Sequence, residues 1–203
     1  MSNRAIAVVG SPQVESTVGL AASIAVASAK AHGESCLLVD LVPDDTVSRS
    51  STLLASAEAR SLEARLRATG LEAASRGHIC AISLAESSWD EIDPAELTEA
   101  ATPSRIVLSL GSKRPHERIA EWQEGVGGCV ALLDLPAERS LGALVFAEMS
   151  ARAIPVKLCG RPPGLVAARR ALAGVLPGGH AEEYGMRVVS HFDRVSRSGD
   201  RTR

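Results

Sequence analysis

The apolar positions of this chain alternate between two periods. Short runs, apolar on both faces, occupy residues 5–10 (AIAVVG), 35–41 (SCLLVDL), 78–84 (HICAISL), 105–111 (RIVLSLG), 129–136 (CVALLDLP) and 155–160 (PVKLCG). Each predicts a strand buried on both sides. Between them lie stretches of helical character. Residues 17–33 (TVGLAASIAVASAKAHG) are rich in alanine and close on Gly33, a helix with a glycine stop. Residues 53–70 carry Leu54, Leu62 and Leu66 among charges, the pattern of a surface helix. Residues 96–101 belong to a short helix, and 115–125, 137–152 and 164–178 are also helical in pattern. The run 187–192 (RVVSHF) is read as a last strand.

Strands of this kind alternating with helices imply an α/β domain, a mostly parallel sheet with helices on both faces. Ligands of such sheets bind at the carboxyl ends of the strands. The 203 residues suit one domain, expected over 1–193, followed by a basic, disordered tail over 194–203. No internal repeat is visible.

Composition narrows the function. Aromatic residues are confined to Trp89, Trp122, Phe146, Tyr184 and Phe192, too few to build stacking platforms for single-stranded nucleic acid. A net charge of -2 provides no general attraction to nucleic acid or to an anionic membrane. Residues 1–10 do not have the pattern of a signal peptide, and no run approaches the ~18 apolar residues of a membrane span. A cytoplasmic protein is expected. Cys36, Cys80, Cys129 and Cys159 form no CxxC pair and sit in apolar runs, as buried small hydrophobes in a reducing compartment do. The histidines, His32, His78, His116, His180 and His191, show no ligand spacing, so no metal centre is expected.

The chemistry worth testing lies between the first strand and the first helix, at residues 8–17 (VVGSPQVEST). A phosphate loop, G-x-x-x-x-G-K-[ST], occupies the same strand–loop–helix setting. Gly10 and Thr17 fit that pattern, whereas Glu15 stands at the second glycine and Ser16 at the lysine. The second strand ends in "LLVDLVP" (37–43), "RIVLSLG" follows at 105–111, and "LDLPAERSL" follows at 133–141. In these segments and their order the chain resembles the ParA/MinD group of deviant-Walker ATPases, which includes the TadZ/CpaE-like proteins that place pilus machinery and the septum-site-determining proteins. The resemblance covers most of the chain and is carried by the flanks of the motifs more than by their active residues. It implies a doubly wound, P-loop NTPase-like sheet.

Position by position, the resemblance also shows what is missing. The P-loop lysine, which neutralises phosphate charge, corresponds to Ser16. The family's signature lysine corresponds to Ser11, and the two following glycines to Pro12 and Gln13. Pro12 has no N–H to offer a phosphate. Glu15 sets a carboxylate where phosphate anions would sit. The aspartate near the attacking water corresponds to Val42, the Walker-B aspartate to Ser109, and the adenine-reading asparagine to the neighbourhood of Gly160. Asp134 is the alternative Walker-B position. Of the expected set only Thr17 and Asp40 remain.

Each survivor also has an ordinary role. Thr17 and Ser16 are suited to capping the helix that begins there, and Asp40 to orienting the first loop. Asp44 and Asp45 read as exposed turn residues. Gly10, Ser11, Glu15, Ser16, Thr17 and Asp40 therefore mark a degenerate nucleotide site with no catalytic residue. The resemblance leads to a non-catalytic scaffold that acts in a localisation, secretion/pilus, division-site or partition complex, through protein partners or as a homodimer, without cofactor. The alternative is an ATPase switch with an atypical loop that uses ATP and Mg.

Overall fold

A computed structural model describes residues 5–10, 17–42, 57–71, 73–85, 91–101, 105–110, 126–133, 156–160 and 180–199. The strands are β1 (Ala5–Gly10), β2 (Cys36–Val42), β3 (Ala74–Arg76), β4 (Ile79–Ala85), β5 (Arg105–Ser109), β6 (Val126–Leu133) and β7 (Val156–Gly160). The helices are α1 (Val18–His32), α2 (Ala57–Ala68), α3 (Pro94–Ala101) and α4 (His180–Gly199). The strands form one sheet in the order β3-β4-β2-β5-β1-β6-β7. Every pairing is parallel except β3 with β4.

Alternate strand residues face two separate cores. Ala7, Val9, Val39 and Leu108 pack with Leu62 and Leu66 of α2 and with Leu97 and Ala101 of α3. Ile6, Val8, Leu38 and Val107 pack on the other face with α1 and with Val188, Val189 and Phe192 of α4. The β1–α1–β2 and β4–α3–β5 crossovers run in opposite directions across the sheet, so right-handed connection puts their helices on opposite faces. The α/β class with a mostly parallel sheet, expected from the alternation of apolar runs, is the class observed.

Helix α1 is buried almost all round, from Gly19 to Ala29, which its uniform alanine-rich composition allows. It ends where the sequence places the stop: Gly33 adopts φ 64°, and its N–H bonds to Ala29 O at 2.9 Å. Lys30 and His32 lie in the last turn, where cations suit the helix dipole. Leu62 and Leu66 are the fully buried anchors of α2. Asp93 caps α3, its Oδ1 accepting from Ala95 N at 2.8 Å with Pro94 at the first helical position, and the helix contains the expected 96–101 segment.

Two elements differ from the sequence reading. The run 187–192 is not a strand; it lies inside α4. Its adjacent valines resemble a strand locally, but Gly185, Val188, Val189 and Phe192 recur at helical spacing and form one buried face. Helix α4 continues to Gly199 and so takes in residues 194–199 of the expected tail; Arg194 Nε donates to Ser190 O at 3.1 Å. Second, β3 is a short edge strand that precedes β4, joined to it through Gly77 at φ 53°. Three residues, Ala-Ser-Arg, carry too little pattern to announce a strand. The helices expected at 115–125, 137–152 and 164–178, together with residues 200–203, lie outside the described residues.

Helices α1 and α4 approach each other closely at one point. A Cβ on Gly185 would lie 2.7 Å from the Ser23 carbonyl carbon and 3.1 Å from Ala27 Cβ. Only glycine leaves room for that contact. Ser23 fits the same crowded seam because its hydroxyl turns back to Gly19 O at 2.9 Å.

Candidate functional site

Parallel pairing of β2, β5 and β1 aligns their carboxyl ends. Ser109, the last residue of β5, lies in register with Val8 of β1 on one side and Asp40 of β2 on the other. Leu110 N–H, just beyond, bonds to Val8 O at 2.9 Å and holds the strand ends together. Gly10 ends β1 and is buried. Ser11, Glu15 and Ser16 of the candidate phosphate loop lie outside the described residues, as do Asp44, Asp45 and Asp134. Val42 is the last residue of β2, and Gly160 the last of β7.

Thr17 opens α1 directly over this edge. Its backbone is already helical, at φ -92° and ψ -15°, and its side chain makes no capping hydrogen bond. The capping role suggested by its position is therefore not the one it takes. Thr17 Oγ1 instead lies 2.8 Å from Ser109 Oγ, a buried hydroxyl–hydroxyl hydrogen bond between residues far apart in the chain. Both are nearly sealed from solvent, Thr17 at 3% exposure and Ser109 at 1%.

Asp40 completes the group. Burial pushes its carboxyl up to about 6, and a hydrogen bond from the Ser109 side chain pulls the other way. In the Thr17–Ser109 bond either hydroxyl can be the donor. The structure thus brings together Thr17, Asp40 and Ser109 from three distant segments.

Among the described residues the group offers one carboxylate, Asp40, and two hydroxyls that bond to each other. Among the described residues no group of three or more His, Cys, Asp or Glu side chains converges as metal ligands would.

The opposite end of the sheet holds a second polar group that the sequence did not signal. Asp193 of α4 lies 3.3 Å from His32 Nε2 at the end of α1 and 3.6 Å from Arg105 Nη2 at the start of β5. No short motif links these three positions, so only the docking of α4 reveals them. Cys36 lies nearby, its thiol pushed up to about 12 by burial against the opposing pull of Arg105. A thiol so far from ionisation is inert as a nucleophile. Cys80 is buried as well, and Cys129 and Cys159 lie on β6 and β7. All four cysteines fall on strands, as their apolar surroundings suggest.

Among the described residues no helix is long and apolar enough to cross a membrane. In comparisons with known proteins, no family model matches the chain and no curated protein sequence matches it.

Proposed function

We propose that the chain is a degenerate member of the ParA/MinD-like, P-loop NTPase-type group. In this reading it works as a non-catalytic cytoplasmic scaffold in a localisation, secretion/pilus, division-site or partition assembly. Its partners are proteins, a second copy of itself among them. The observation that carries the reading is the Thr17–Ser109 hydrogen bond. In a working P-loop NTPase, the loop Ser/Thr and the Walker-B aspartate hold Mg²⁺ between them. The residues at the corresponding positions here are adjacent in space, which supports the resemblance, but they bond to each other and supply no charge.

Phosphoryl transfer depends on positioning and electrostatic stabilisation. Ser16 at the lysine position, Ser109 at the metal carboxylate and Val42 at the water-positioning carboxylate leave little of either. What remains is a sheet whose carboxyl edge is tied by the chain's own hydroxyls, a fixed framework suited to presenting surfaces.

Calorimetric titration of the full chain with millimolar MgATP and MgADP tests this. No saturable heat and no thermal shift are expected. Saturable binding that disappears in Thr17→Ala would establish the ATPase-switch alternative and reject the scaffold reading.

A further inference from the structure

Helix α1 is tied to β5 at both of its ends. Its start is tied directly, through Thr17 Oγ1 and Ser109 Oγ at 2.8 Å. Its end is tied through α4, where Asp193 reaches both His32 and Arg105. Between the two ties, α4 presses on α1 at Gly185 with no space to spare. A helix fixed at both ends to one central strand cannot tilt as a unit without breaking one of these contacts.

We infer that the buried Thr17–Ser109 hydrogen bond is a built-in lock. It holds the first turn of α1, and with it the carboxyl edge of the sheet, in one fixed state without any ligand. This deepens the scaffold reading and rests on it: the hydroxyl of Ser109 takes over the holding role that a metal-bridged carboxylate has in a nucleotide switch. The lock is internal, because the Thr17 and Ser109 side chains are buried and bond to each other within the chain. The result is a constitutive conformation in place of a ligand-gated one.

Native-state hydrogen exchange on the full chain, without nucleotide, tests the lock. Thr17→Val and Ser109→Ala each remove one hydroxyl. Each is expected to speed exchange of the amides at residues 21–23, whose protection comes from the first turn of α1, by about tenfold, the effect of losing roughly one buried hydrogen bond. Exchange at residues 26–29 should stay within about twofold of wild type. The double variant should be no faster than the faster single variant, because both break the same bond. Ser109→Thr, which keeps a hydroxyl, should retain most of the protection. Unchanged exchange at 21–23 in both single variants, or effects that simply multiply in the double variant, would overturn the lock. If Ser109→Ala does not fold, Thr17→Val against Thr17→Ser gives the same contrast at the other partner.

A wild-type arm with millimolar MgADP separates this inference from the scaffold reading. Slower exchange at 21–23 on adding MgADP would reject the scaffold reading whatever the variants show. Failure of the variant contrast with no MgADP response would reject the lock alone.

Discussion

The two ends of α1 meet β5 through different chemistry. At the carboxyl edge, Thr17 and Ser109 are 3% and 1% exposed and share a neutral hydrogen bond. At the amino edge, the Arg105 and Asp193 side chains are 19% and 23% exposed and share charge at 3.6 Å. Water can replace the Arg105–Asp193 ion pair at the second site when it breaks, but it has poor access to the hydroxyls at the first. A buried polar group left without its partner costs about 1–3 kcal/mol. A partly exposed ion pair is worth about 0–1 kcal/mol. The neutral contact is therefore the stronger fastening, although the charged one looks stronger on paper.

The largest disruption should come from neither end but from the seam between them. Gly185→Val forces a side chain into the Ser23 and Ala27 contact. Overpacking of this kind costs about 1–3 kcal/mol, and the lost approach of α4 adds the weakening of the Asp193 contacts at the amino edge. Urea unfolding should show a stability loss near the top of that range. An unchanged midpoint would mean that α4 does not set the position of α1.

Ser109→Ala comes next, with an expected loss of about 1–3 kcal/mol because Thr17 Oγ1 keeps its burial and loses this partner. Urea unfolding of this variant checks it against Gly185→Val on the same scale. The same substitution removes the donor that holds the Asp40 carboxyl down, so the Asp40 titration should move further up.

Asp40 itself predicts a pH signature. Its folded value, about 6, lies above the 3.8 of an ordinary aspartate. The folded state therefore binds more protons than the unfolded state between those values, and stability falls as pH rises from about 4 to about 6. The contribution is most favourable below the lower value and is fully lost above the upper one. Asp40→Asn removes this dependence. The melting temperature of the variant relative to wild type should rise by roughly 5 °C between pH 4 and pH 8. A parallel pair of profiles would place Asp40 in a solvated setting.

The smallest effect belongs to the amino edge. Asp193→Asn should cost about 0.5 kcal/mol in urea unfolding, and the cost should shrink further at high salt. A loss as large as that of Ser109→Ala would reverse the ranking of the two ends.

Much of the framework is legible in the sequence because burial on both faces leaves a plain signature. The runs at β1, β2 and β5 are continuous and apolar, and the glycine after α1 stops the helix where expected. In α2, Leu62 and Leu66 stand out against their charged neighbours and are the residues that reach the core. Helix α4 reads locally as a strand because Val188 and Val189 favour one, while the face they share with Gly185 and Phe192 matters only once α1 is present to receive it. The candidate site is legible as three separate positions, 17, 40 and 109, and not as a hydrogen-bonded unit.

The division between chain and fold follows from distance. Period, burial and helix stops are local properties, and they decided on their own that this protein is an α/β domain with a mostly parallel sheet. That Ser16, Val42 and Ser109 carry no charge is also visible without a structure. Only tertiary structure decided what the remaining groups do. Strand order sets Ser109 between Val8 and Asp40 and brings Thr17 to within 2.8 Å of it. A hydroxyl has no preferred partner in sequence; it bonds to whatever the sheet places beside it once water is gone.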